Sequence, residues 1–414
     1  MSNTTYYAYI DKVEPAGEEQ YFEFHCLDKS LADSIIDFLP IQFQAVLSDT
    51  RSQVITLTNS IDAIQKIFPV DDITNTESNW VILATDDHTG LEAFLFVENA
   101  PEETAILISA ITPFPPDSAT ERKLLDKVSL DDYEDAAEES IKTLLERNKS
   151  QTPEFIAIYD VGQGNSNAVC NQQCQPLLYF DLGGGCYKNK KTYPTALNFC
   201  FTHAPCIILS HWDMDHFQTA QMNSHYRSKD WIVPRQKLGP VHLKFYRSIT
   251  GMRLIWPASL PSLAFCWGEI VVCTGPAGKK NHTGLSYAAS INPMVNTIRD
   301  VLLPADAAYT YIPGAALRKN FDGLIATHHG AEFDTVNHPV PASKGQKANV
   351  YSFGKPNTYS HPRVPATTAH ISSGWPHAER KNTWAGHIAL ADNPGSLTLG
   401  CAAGHCDLAI VQQY

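Results

Sequence analysis

A chain of 414 residues with 43% apolar content is long enough for two or three domains and rich enough for real cores. Met1-Ser2-Asn3-Thr4 is no basic, apolar leader and no run of about 18 apolar residues occurs, so neither a signal peptide nor a membrane span is expected. The net charge of −13 is split unevenly, with 29 acidic against 10 basic residues in 1–150 and 15 against 21 in 151–414.

Residues 1–150 read as a mixed α+β module. Strand character marks Tyr6–Val13, Tyr21–Cys26, Ile41–Leu47, Val54–Leu57, Val81–Ala84 and Ala93–Val97. Leu27–Leu39, with Asp28 and Ser30 as candidate caps, and Ser60–Ile67 read as helices. Asp86, Asp87 and His88 precede Thr89-Gly90 and read as a β-turn between two strands. Pro113, Pro115 and Pro116 break the pattern, and Ser129–Asn148 then reads as an acidic amphipathic helix. Ser150-Gln151-Thr152-Pro153 is the expected boundary, which divides the chain into 1–150 and 151–414.

Chemistry begins with the strand Phe155–Tyr159, which ends at Asp160-Val161-Gly162-Gln163-Gly164-Asn165. Leu177–Phe180 is a second strand, ending in Asp181-Leu182-Gly183-Gly184-Gly185. Asp181 is placed to orient a ligand histidine. The most telling stretch follows the apolar run Cys206–Leu209. It reads Ser210-His211-Trp212-Asp213-Met214-Asp215-His216 and packs four metal-ligand side chains into six positions. Imidazole with carboxylate suits divalent ions such as Zn, Mn or Fe. Val301–Ala305 leads to Asp306, Leu324–Thr327 leads to His328-His329-Gly330, and a later strand leads to Ser352–Pro362. Ten cysteines in so long a chain make no disulfide scaffold, which suits a reducing cytoplasm. Cys170 with Cys174, and Cys401 with His405 and Cys406, lack strong zinc spacing and read mainly as buried thiols.

These ordered motifs resemble the metallo-β-lactamase-fold hydrolases, in the branch typified by the metallohydrolase domain of the DNA-uptake protein ComEC. Asp160–Gly164 resembles the Asp-Val-Gly-Gln-Gly signature and Asp181–Gly183 the Asp-x-Gly that follows it. His211–His216 matches the His-x-Asp-x-Asp-His form, Asp306 resembles the bridging carboxylate, and His328–Gly330 matches His-His-Gly. Ser352–Pro362 resembles the late Ser-x-Gly-x-x-Asn-x-Tyr-x-His-Pro stretch. The similarity spans about residues 153–400 and leaves 1–150 uncovered. Asn165 stands where the family has aspartate, Ala305 stands where it has glycine, and His282 lies in a segment that matches only loosely.

The resemblance implies an α/β fold, an αβ/βα sandwich with an additional N-terminal α+β domain. It implies a dinuclear site for Zn or Mn, with His211, Asp213 and Asp306 on one ion and Asp215, His216, Asp306 and His328 on the other. Asp215, His329 and His361 would act in catalysis, the two histidines as candidates for protonating a leaving group or gripping phosphate. Asp160, Asp181, Asn357, Lys355 and Arg363 would support the site or contact substrate. A phosphodiesterase, more narrowly a nuclease, is the expected activity. A hydrolase of a cyclic nucleotide or small ester is the alternative, and an adaptor with a relic site is a third. The basic second part suits a nucleic acid or nucleotide. The acidic first part would cover that face, dock a protein partner, or simply aid solubility; no membrane partner is expected.

Overall fold

The computed structural model describes residues 3–100, 102–194, 197–294, 297–314, 320–333, 343–375, 380–383, 386–391 and 412–413. The chain divides into two compact units, Met1–Glu134 with Lys237–Ser248, and Asp135–Gln236 with Ile249–Tyr414.

The first unit is a closed antiparallel barrel. Its strands are β1 (Thr5–Ala16), β2 (Glu19–Asp28), β3 (Gln53–Asn59), β4 (Trp80–Asp86), β5 (Leu91–Val97) and β6 (Thr104–Pro113), in the order β1-β2-β3-β5-β6-β4. Alternate residues Tyr6, Ala8 and Ile10 of β1, Phe22 and Phe24 of β2, and Ile55 and Leu57 of β3 fill one core. Closure leaves no edge strand to pair with another chain. The ladder between β1 and β2 shifts register between Ile10 and Lys12, so Asp11 sits in a bulge. Asp86 accepts hydrogen bonds from the backbone N–H groups of His88 (2.7 Å) and Thr89 (2.9 Å), the turn expected between β4 and β5.

One local expectation fails here for an identifiable reason. Ile41–Leu47 lies in a helix, Pro40–Asp49, not in a strand. Pro40 takes the first helical turn, where a missing N–H is no loss, and Phe43, Gln44 and Leu47 supply its buried face. Thr104–Pro113 is a full strand, although the prolines beyond it read as a break. It pairs with both β5 and β4 and closes the barrel.

The second unit begins with the helix Glu138–Leu145, whose Ile141, Leu144 and Leu145 join its core. The helix is shorter than the expected Ser129–Asn148. Its packing explains why the units part at Glu134/Asp135, ahead of Ser150–Pro153. Strands β7 (Phe155–Ile158), β8 (Ser166–Cys170), β9 (Pro176–Leu182), β10 (Cys206–Ile208), β11 (Trp231–Pro234) and β12 (Arg253–Trp256) form one sheet. Strands β13 (Ser262–Phe265), β14 (Gly268–Val272), β15 (Leu285–Ser290), β16 (Asp300–Leu303), β17 (Phe321–Ile325), β18 (Ser343–Tyr351) and β19 (Arg380–Asn382) form another. The chain then returns to the first of these sheets with β20 (Ile388–Leu390) and β21 (Gln412–Gln413). Ile156, Val169, Phe180 and Ile208 of one sheet meet Ile270, Tyr287, Val301 and Val350 of the other in a shared core.

The fold expectation is therefore corrected. Strand exceeds helix, 31% against 26%, and the chain builds a closed six-stranded barrel and two further sheets, not an αβ/βα sandwich with an appended α+β domain. Ordered motifs fix where ligand side chains fall along a chain; they do not fix how its strands pair. What matters for the site is polarity. Strands β9, β10 and β11 run parallel, as do β16, β17 and β18, so several loops leave the carboxyl ends of parallel strands. Among the described residues no helix is long and apolar enough to cross a membrane.

Candidate metal centre

The loop after β10 is seated on the turn after β9. Asp181, near the end of β9, has a left-handed backbone (φ 65°), and Gly183 follows it. A Cβ on Gly183 would lie 1.8 Å from the carbonyl oxygen of Asp215, so only glycine lets the two loops touch. That carbonyl accepts from the backbone N–H groups of Asn165 (3.1 Å) and Gly184 (3.0 Å). Three loops are thereby locked around Asp213–His216.

Asp181 is wholly buried and uses both oxygens. Oδ1 accepts from the Ser210 N–H (2.7 Å). Oδ2 accepts from the Ser210 hydroxyl (2.9 Å), the Asn165 amide (3.0 Å) and His216 Nδ1 (2.8 Å). The Ser210 oxygen in turn stands 3.0 Å from His211 Nδ1. His329 Nδ1 donates to the Ser352 carbonyl (2.7 Å). Each of the three imidazoles thus has its Nδ1 engaged, which leaves Nε2 as the atom that could face an ion, the arrangement metal-ligating histidines require. The three Nε2 atoms and Asp306 Oδ2 are buried without a hydrogen-bond partner.

Asp306 divides its carboxylate between two groups. Oδ1 lies 3.1 Å from His216 Nε2 and 3.7 Å from His329 Nε2; Oδ2 lies 3.7 Å from His211 Nε2 and 3.4 Å from His328 Nε2. Asp213 Oδ2 is 3.6 Å from His211 Nε2, and Asp215 Oδ2 is 3.3 Å from His329 Nε2. Two sets have ligand atoms close enough to share an ion: His211, His216 and Asp306, and Asp215, His216 and His329. Buried His/Asp groups that could bind a metal ion are thus present. Burial opposes ionisation of His216, yet Asp306 and Asp181 outweigh it and hold the imidazolium well above the ordinary range. Burial likewise opposes the Asp306 carboxylate, and His216, His328 and His329 overcome it, holding it well below its usual value.

His328 and His329 both have left-handed backbones (φ 49° and 57°), a strained pair costing on the order of 1–3 kcal/mol each. Gly330 continues the run at φ 90°, where a Cβ would meet Pro362 at 2.5 Å. The turn sends the rings apart. His329 is 3% exposed and joins the Asp215 set, whereas the His328 side chain is 17% exposed at the rim. His329, expected among the catalytic groups, thus lies with the candidate ligands Asp215 and His216, while His328, expected as a ligand, stands at the rim with Nε2 3.4 Å from Asp306 Oδ2.

Other expected residues take supporting places. His361 stacks on His329 and contacts the Gln163 amide (3.3 Å); burial first, then His328 and His329, push its basicity well down. Asn357 holds the loop that carries it, accepting from the His361 N–H (2.9 Å) and donating to the His361 carbonyl (2.9 Å). Arg363 occupies the N-cap position of the helix Val364–Ser372 with no side-chain capping bond, and Lys355 is exposed. Asp160 turns its carboxylate to the Gly162 N–H of its own loop (3.2 Å), while its N–H donates to His387 Nδ1. His282 is held down at about 4 by burial and then by His328. Cys170 and Cys174 are buried free thiols, and Cys401, His405 and Cys406 lie outside the described residues.

Sequence reasoning missed Ser210 and Lys280. The Lys280 side chain is 1% exposed, with Nζ 3.5 Å from Asp213 Oδ1. It also missed a buried cluster in the barrel unit, where Asp11, His25 and His242 approach one another. The Gly239 N–H donates to His242 Nδ1 (2.9 Å), so the proton of a neutral ring sits on Nε2, 3.3 Å from Asp11 Oδ1. A protonated Nε2 is no ligand, and this cluster reads as a charge-assisted clasp. Its members are distant in sequence and carried no spacing signal.

Compared with known proteins, the chain matches no family model and no curated protein.

Proposed function

We propose that the chain is a metal-dependent phosphodiesterase, more narrowly a nuclease, akin in its site motifs to the ComEC-type metallohydrolases. One observation carries the reading: three buried Nε2 atoms and a carboxylate face one another, each imidazole with its Nδ1 already engaged. A degenerate site would have lost some of these groups, which argues against a relic adaptor.

His211, Asp213 and Asp306 would hold one ion and Asp215, His216, Asp306 and His329 the other. Two such ions, Zn or Mn, would supply Lewis acidity and a nucleophile at neutral pH. Asp306 offers one oxygen to each position. His328 stands at the open rim, beside Asp306 and 5.7 Å from the His361 ring, where it can hold a proton for a leaving oxygen. Arg363 and Lys355 supply positive charge for phosphate, in keeping with the net positive charge of 151–414.

The test is a panel of single- and double-stranded DNA, RNA and cyclic nucleotides with Mn²⁺, Zn²⁺ and Mg²⁺. Cleavage of polymer by the wild type and its loss in Asp215→Ala support the nuclease reading. Hydrolysis of cyclic nucleotides alone selects the small-substrate alternative, and a metal-free, inert protein removes both.

A further inference from the structure

Lys280 has no place in the scheme above, and its surroundings fix what it can do. A lysine this deeply buried must be paired or lose its proton. It is delivered by a short helical turn, Lys280–Thr283, whose position is set from the ligand loop itself. The Gln236 amide donates to the Lys280 carbonyl (2.7 Å) and to the Thr283 hydroxyl (3.0 Å), while its oxygen accepts from the Trp212 N–H (3.3 Å). The residue before Asp213 and the residue that faces Asp213 are thus tied to one side chain. The ammonium addresses Asp213 Oδ1 and leaves Oδ2 towards His211.

We propose that Lys280 makes the two ion positions unequal: it weakens the one built from His211, Asp213 and Asp306 and leaves the one built from Asp215, His216 and His329 as the tight site. The inference rests on the metal-binding reading above. Two effects act in the same direction. A fixed ammonium repels a dication beside it, and it competes for the Asp213 carboxylate that the ion needs. The second position does not draw on Asp213, so it escapes the competition. Lys280 is a positioning residue here, because it acts through Asp213. The site then loads in order, one ion being resident and the other exchangeable.

The experiment is a Mn²⁺ and Zn²⁺ titration of the full chain by equilibrium dialysis with elemental analysis, repeated on Lys280→Met and Lys280→Arg, with circular dichroism to check folding. The expected wild type binds a first ion at least about tenfold more tightly than a second. Lys280→Met should narrow that gap by about tenfold and Lys280→Arg should retain it. Two ions of equal affinity in the wild type overturn the proposal, whether or not Lys280→Met folds. A folded Lys280→Met with an unchanged gap overturns it too. A wild type that binds no ion overturns the metal reading itself, a result distinct from either.

Discussion

His216 donates its Nδ1 proton to Asp181 at 2.8 Å and so turns Nε2 towards Asp306 at 3.1 Å. The same Asp181 holds the Ser210 backbone and hydroxyl, and Ser210 reaches His211 Nδ1. One carboxylate at the end of β9 therefore sets the ring orientation of two histidines in the loop after β10. The centre is preorganised by charge-assisted bonds between buried groups, where they are stronger than in water.

The histidine pair separates two assignments. His329→Ala should lower metal affinity by tenfold or more, on the order of the change seen when groups orienting a ligand are lost. His328→Ala, at the rim, should retain the tight ion and reduce turnover instead. Elemental analysis of both dialysed variants decides it, and a normal metal content in His329→Ala would remove that residue from the ligand set.

Acid and alkali should act oppositely on the metal-free and the loaded protein. His216 is raised in the fold, so its contribution is complete below the ordinary value of 6.5 and is lost as pH climbs through the folded value. Asp306 is depressed, so its contribution persists above 3.8 and is lost only as pH falls further. The metal-free protein should then lose melting temperature on the alkaline side. Metal must displace the His216 proton, so affinity should rise with pH over the same range. Calorimetry in two buffers of different ionisation enthalpy should register about one proton released per chain near neutrality. Proton uptake would contradict the pairing.

The candidate ligands were legible in the sequence because such groups at strand ends are local: His211–His216, Asp306 and His328–Gly330 each announce themselves within a few residues. The turn after β9 was readable for the same reason. Barrel closure was not, since it depends on β6 pairing with β5 and β4, and the prolines that follow Thr104–Pro113 obscured that strand. The short apolar run Ile41–Leu47 has no periodicity long enough to separate helix from strand, and burial decided it. Lys280 and Ser210 stayed hidden because a lysine or serine gains its role from what lies beside it in space.

Asn165 stands where the related motif has an aspartate, and the amide is required by its partner. Its Nδ2 donates to Asp181 Oδ2 at 3.0 Å and its Oδ1 accepts from Asn167 (2.9 Å). Asn165→Asp would set two buried carboxylates against each other and remove a donor. A destabilisation of about 1–3 kcal/mol is expected, relieved as pH is lowered. Urea unfolding at two pH values measures it, and a variant as stable as wild type at neutral pH would show that Asp181 does not depend on this donor.

The barrel cluster gives the opposite kind of expectation. Asp11 projects from a bulge, 3.4 Å from His25 Nε2 and 3.3 Å from His242 Nε2, with Glu23 Oε1 also 3.3 Å from His25. Burial raises the Glu23 carboxyl against the pull of His25. Removing Asp11 leaves the buried His242 short of an acceptor, while His25 keeps Glu23 Oε1. Asp11→Ala should therefore cost about 1–3 kcal/mol of stability, the range for a buried donor left without its acceptor. Because His242 carries its proton on Nε2, bound metal should remain at the wild-type level. Chemical denaturation with elemental analysis of the same sample reads both. Loss of an ion from a still-folded Asp11→Ala would make the cluster a metal site and overturn the clasp.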